Sequence, residues 1–96
     1  MYKGFVYIIT NANRTVLYTG VTSDLYHRIR QHRVHEFAGF SARYGLTELI
    51  YYEEHPSIES AIVREKQIKS WSRQRKIDLI EELNPAWCNL LDDEDL

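Results

Sequence analysis

The chain has 96 residues, 44% of them hydrophobic and 27% charged, which suits one folded domain with a modest core and excludes a disordered segment. A single cysteine, Cys88, excludes an internal disulfide and a Cys/His metal cluster and implies a reducing compartment. The net charge of −2 hides a division. Residues 1–76 hold all 12 Lys and Arg against 7 acids, whereas residues 77–96 hold 7 acids and no Lys or Arg.

The longest early apolar run, Phe5 to Ile9, is too short for a signal-peptide core or a membrane span, so a cytoplasmic address is expected. Residues 4–10 (GFVYIIT) and 16–21 (VLYTGV) are rich in β-branched and aromatic side chains and flank the turn-forming NANRT. They predict a β-hairpin. A turn centred between Ala12 and Asn13 sets Tyr7 opposite Tyr18 and Ile9 opposite Val16, an ordinary packing arrangement for two phenols. Gly20 inside the second strand marks a bulge or a close approach to the backbone.

Thr22 or Ser23 can cap the following helix, residues 24–36, with Asp24 at the positive end of its dipole. Leu25 and Ile29 mark its inner face, and Arg28 and His32 flank that face. Residues 37–45 (FAGFSARYG) predict a loop that carries Arg43 and is anchored by Phe37, Phe40 and Tyr44. A third strand follows over residues 47–54 and ends at His55-Pro56.

Ser57 caps a helix through Trp71, where Ile58, Ala61, Ile62 and Ile68 form an apolar stripe. Glu65 occupies the stripe position seven residues after Ile58. An ionised carboxylate there costs about several kcal/mol unless a cation, a metal or strong donors receive it. Either it pairs with Lys69 on the rim, or it is aimed into a cleft. Ser72 caps a last helix, residues 73–83, stopped by Asn84-Pro85. Trp87, Leu90 and Leu91 then return to seal the core.

The order β-β-α-β-α-α implies an α+β domain, a small three-stranded, mostly antiparallel sheet flanked by helices. The domain is expected over residues 1–91. Residues 92–96 form an acidic tail that is either a solvated end or a competitor for the basic face.

Tyr7, Tyr18-Thr19-Gly20, Arg28, His32 and Glu65 occur in this order and spacing across nearly the whole chain. In this the chain resembles the GIY-YIG nuclease family. Its first motif is represented by Phe5-Val6-Tyr7, with Phe5 in place of a glycine, and its second by Tyr18-Thr19-Gly20. The small stand-alone bacterial members, similar to the incision domain of the excision-repair nuclease, are most alike. The resemblance implies a metal-dependent endonuclease acting on DNA, in repair or recombination, with Tyr7, Tyr18, Arg28, His32 and Glu65 as its catalytic residues. It makes Glu65 the ligand of Mg²⁺ or Mn²⁺, an ion that keeps several waters and needs only one or two carboxylates. Arg28 would hold the scissile phosphate, and Tyr7 or Tyr18 would act as base or orient water, assisted by His32. The family often carries an asparagine near the domain's end, for which Asn89 and Asn84 compete.

Arg28, Arg30, Arg43 and Lys69, together with Arg33, Arg64 and Lys66, are candidate phosphate contacts. No separate DNA-reading module fits into 96 residues, so a monomer is expected to have low sequence specificity unless a homodimer or a protein partner supplies it. Two alternatives stand beside the nuclease: a non-catalytic nucleic-acid-binding module that keeps the fold, and an interaction protein working through its acidic tail.

Overall fold

A computed structural model describes residues 3–34 and 43–92. Two antiparallel strands, β1 (Gly4–Thr10) and β2 (Leu17–Thr22), form the expected hairpin. Its register differs from the sequence expectation. Tyr7 stands opposite Gly20 and Ile9 opposite Tyr18, a shift of two residues. The connection is longer than a tight turn because Asn11 organises it. Its Oδ1 accepts from the amides of Thr15 (2.9 Å) and Val16 (3.1 Å), while Arg14 takes the left-handed region at φ 58°. A shift of two conserves side-chain parity, so Tyr7 and Tyr18 remain on one face.

Helix α1 (Leu25–Arg33) follows, with Val34 as its C-cap; the rest of the predicted helix, residues 35–36, lies outside the described residues. Its cap is Asp24, whose Oδ1 accepts from the His27 amide at 3.1 Å. Thr22 instead braces the Asp24 amide at 3.1 Å, so the expected Thr22 or Ser23 cap is corrected. Of the predicted loop 37–45, Phe37 and Phe40 lie outside the described residues. Arg43 and Tyr44 are in a helical turn and are exposed. Strand β3 (Glu48–His55) pairs antiparallel with β1, with an irregularity between Ile8 and Ile9, giving the order β2-β1-β3. Helices α2 (Ile58–Lys69) and α3 (Arg73–Leu83) have the caps read from sequence, Ser57 and Ser72.

The central strand β1 is covered on both faces, which explains its nearly unbroken apolar run. Val6 and Ile8 point to α2 and α3 and pack with Ile50, Ala61, Ile68, Ile80 and Trp87. Tyr7 and Ile9 point to α1 and pack with Leu25, Ile29, Leu46, Leu49 and Leu91. Each fully buried aliphatic side chain contributes roughly 1.5–3 kcal/mol. Ile62, assigned to the inner stripe from sequence, is 37% exposed. The stripe that meets the sheet is Ile58, Ala61, Glu65 and Ile68, leaving Ile62 on the shoulder. Leu90 is likewise exposed, while Trp87 and Leu91 are buried as expected.

Asn84 closes the fold. Its Nδ2 donates to the carbonyls of Ile50 and Cys88, both at 2.8 Å, and its Oδ1 accepts from the Cys88 amide at 2.9 Å. No helix of the described residues is long and apolar enough to cross a membrane.

Candidate active site

Tyr7 sits at the middle of the central strand and is fully buried. Its ring lies across the backbone of Gly20. A Cβ at that position would come within 2.4 Å of both Tyr7 Cζ and its hydroxyl oxygen. Glycine is therefore needed for the approach of a ring, the second of the two meanings its place in the strand allowed.

The phenol points at α1. His32, in the last turn of that helix, is 3% exposed and places Nε2 3.0 Å from the Tyr7 hydroxyl. Tyr18 completes a triangle of rings. Centroids lie 6.5 Å apart for Tyr7–Tyr18, 5.7 Å for Tyr7–His32 and 5.8 Å for Tyr18–His32. Arg28 precedes His32 by one helical turn, is half-buried, and brings its guanidinium within hydrogen-bonding reach of the Tyr7 phenol.

Burial, then the neighbouring Tyr18, pushes the Tyr7 phenol up to about 12, outweighing the opposing pull of Arg28. Burial and the Arg28 cation push the His32 imidazole down to about 4. At neutral pH both groups are uncharged. They form a neutral pair in which the phenol O–H can donate to Nε2 when the ring proton is on Nδ1.

Glu65 reaches the same locality from α2, and its charge also raises the Tyr7 phenol. Its side chain is 13% exposed and pairs with Lys69 Nζ at 3.5 Å. The two sequence readings of Glu65 are thus not exclusive. The carboxylate is largely buried near the tyrosines and has an i,i+4 cation at its outer side. A cleft of about 240 Å³ opens beside it at the β2 edge, lined by Leu17, Tyr18, Thr19, Lys69 and Lys76.

Tyr7, Tyr18, Arg28, His32 and Glu65 are therefore gathered from four elements, with Lys69 at the cleft. The other basic candidates divide. Arg30 is exposed on α1 beside a hollow lined by His27, Gln31 and Val34. Arg43 is exposed with its guanidinium 5.7 Å from the Tyr44 ring.

Arg33 is used internally. Its Nε donates to the Thr47 carbonyl at 2.9 Å, and Nη2 donates to Asn89 Oδ1 at 2.9 Å and to the Leu91 carbonyl. Arg64 donates to Glu53 at 2.8 Å and stacks 5.1 Å from the Trp71 ring. Both guanidinium groups are thus engaged by groups of the chain itself. Asn89 and Asn84 both hold backbone: Asn89 Oδ1 also accepts from the Leu49 amide at 3.2 Å.

Sequence reasoning missed Lys76 and Thr19 as cleft residues, and the convergence of Tyr51, His55 and Arg64 on the Glu53 carboxylate. Only the basic RQRK run hinted at the first. Among the described residues no group of three or more His, Cys, Asp or Glu could enclose a metal. A single shielded carboxylate does suit a hard divalent ion that keeps its water and takes substrate oxygens, so Glu65 fits Mg²⁺ or Mn²⁺ and not a structural zinc.

The model of the GIY-YIG catalytic domain matches residues 3–78. The chain is 40% identical over 86 residues to a UPF0213 protein of Staphylococcus haemolyticus, covering 85% of this chain and 99% of that one. It is 35% identical over 78 residues to one from Haloquadratum walsbyi, covering 81% and 86%. The solution structure of a UPF0213 protein from Bacillus halodurans superposes with a TM-score of 0.58 at 29% identity, covering 91% of this chain and 92% of that one.

Proposed function

The chain belongs to the GIY-YIG catalytic domain family, and from that membership we propose that it is an endonuclease hydrolysing phosphodiester bonds of DNA with Mg²⁺ or Mn²⁺. The observation that carries this reading is the buried 3.0 Å contact between the Tyr7 hydroxyl and His32 Nε2, beside Arg28 and Glu65.

Hydrolysis needs a proton removed from water at neutral pH, and a phenol held up at about 12 is a poor free base. A neutral imidazole hydrogen-bonded to that phenol changes the problem. Tyr7 takes a proton from the attacking water while its own proton passes to His32 Nε2, so no free phenolate forms. Burial and Arg28 keep His32 neutral at pH 7, so its Nε2 lone pair is open to that proton. Held at about 4 it is a weak base, and an anionic phosphate drawn to Arg28 would offset the cation that lowers it. Arg28 offers a planar pair of donors to the phosphate and stabilises charge developing on it. Tyr18, shared between the ring triangle and the cleft, orients the water or the strand. Glu65 would hold the divalent ion, which when bound neutralises charge on a phosphate oxygen. A place in DNA repair or recombination belongs to the same proposal.

One observation favours the binding module as a second reading. Glu65 already has a cation beside it, Lys69 at 3.5 Å, so the fold does not require a metal there. Incubating plasmid and branched DNA with the protein, with and without Mg²⁺ or Mn²⁺, separates the readings. The wild type should cleave only with metal, and Glu65→Gln should fold normally yet cleave several orders of magnitude more slowly. Undiminished cleavage by folded Glu65→Gln would sink the assignment of Glu65, and metal-independent binding without cleavage would support the module.

A further inference from the structure

The β2-edge cleft contains a group that the proposed chemistry leaves unused. Thr19 lines it, is 4% exposed, and its Oγ1 has no hydrogen-bond partner among the described residues. Buried hydroxyls in folded proteins are almost always satisfied, so an orphan beside a cleft signals a missing partner. The same cleft is lined by two lysines from different helices, Lys69 at the end of α2 and Lys76 in the first turn of α3. Lys76 is half-buried and makes no ion pair with a described residue. Lys69 holds Glu65 at 3.5 Å, longer than the roughly 2.7–2.9 Å of a tight charge-assisted bond, and keeps donor protons for another acceptor.

We infer that this cleft is a second phosphate site, in which Thr19 Oγ1, Lys69 Nζ and Lys76 Nζ hold a non-bridging oxygen pair of a nucleic-acid phosphodiester next to the one presented to Arg28. Two ammonium groups and a hydroxyl donor match a singly charged phosphodiester. Tyr18 links the two places, since its ring stands 5.8 Å from that of His32 and also lines the cleft. The chain breaks between the two helices at Ser70–Ser72, and a lysine from each side of the break lines the cleft. The inference rests on the reading that the substrate is a nucleic acid, and adds that the strand runs along the outer edge of β2. The grip falls on the backbone, so it carries no base preference.

The test measures binding of a short single-stranded oligonucleotide by fluorescence anisotropy, without divalent metal and across a salt series. Full-length protein is compared with Lys69→Met, Lys76→Met, the double variant and Thr19→Val. Each lysine that contacts a phosphate should lower the slope of log affinity against log salt by about 0.7, and the pair by about 1.4. Thr19→Val, nearly isosteric, should weaken binding about tenfold, with Thr19→Ser restoring it. Lys3→Met, at the exposed Glu54 pair, is the control and should leave the slope unchanged.

Slopes in the cleft-lysine variants equal to the control overturn the inference while leaving the nuclease reading intact. Lysine effects with an indifferent Thr19→Val also overturn it, since the charges would then act diffusely. Lysine- and threonine-dependent binding by a protein that cleaves nothing upholds the phosphate site and refutes the nuclease. Failure to bind the oligonucleotide at low salt overturns both.

Discussion

Replacing Gly20 by alanine tests the core of the site, because the structure makes a steric claim there that can be worked through. The new Cβ would stand 2.4 Å from Tyr7 Cζ and from its oxygen, and 2.8 Å from Cε1, about 1 Å inside ordinary contact. Tyr7 is fully buried among Ile29, Leu25 and Leu49, so its ring cannot swing away. Overpacking of this kind costs roughly 1–3 kcal/mol. Displacing the phenol also stretches the 3.0 Å contact with His32, and a buried polar group left unmade adds roughly 1–3 kcal/mol. Against this, alanine restricts the unfolded chain and returns roughly 0.5 kcal/mol. The net expectation is a loss of about 3 kcal/mol, a large share of the roughly 5–14 kcal/mol available to a domain of this size. Urea denaturation followed by circular dichroism reads it, with the midpoint falling and the slope unchanged. Cleavage should fall with stability held above threshold by low temperature, because the Tyr7–His32 pair is misaligned. A Gly20→Ala protein within about 0.5 kcal/mol of wild type would refute the claim that the ring lies against this backbone.

Two further outcomes follow from the same geometry. His32 is held at about 4 in the fold against an ordinary 6.5, so between those values the unfolded chain binds a proton that the folded one does not. Stability attributable to this group is therefore complete above pH 6.5 and is lost as pH falls to about 4, by about 3 kcal/mol. Glu53, whose carboxyl is held below its usual range by Tyr51, His55 and Arg64 against the opposing effect of burial, also loses stability toward acid. The His32 part is the difference between wild type and His32→Gln across that window, and parallel pH–stability curves would contradict it. Asn84→Ala should cost about 3 kcal/mol, since it leaves the buried Ile50 carbonyl and the Cys88 amide unpaired and releases the segment that carries Trp87 and Leu91. Thermal melting measures this, and a shift of a degree or less would show that water replaces the amide.

What the sequence determined by itself is local or periodic. Ser57 and Ser72 cap their helices because a side chain three residues away supplies the missing acceptor, and that relation is written in adjacent letters. The strand order of types, the inward stripe carrying Glu65 and the sharing of a face by Tyr7 and Tyr18 follow from periods of 3.6 and 2, which survive a register shift of two.

Only the tertiary structure decided the register itself, because it depends on Asn11 holding a six-residue connection that resembles a shorter turn on paper. It also decided which cations are available to a substrate. Arg33 and Arg30 are alike in composition and three residues apart, yet Arg33 is committed to Asn89 and Leu91, more than fifty residues away in the chain. Arg64 is committed to Glu53 across the fold, whereas its near neighbour Lys69 borders an open cleft. No local rule separates these cases, since each is settled by which carboxylate or carbonyl the packing of distant elements brings within about 3 Å. Thr19 belongs with them. Its place in the second motif was legible, but its burial at the rim of a cleft shared with Lys69 and Lys76 depends on how two later helices pack beside β2.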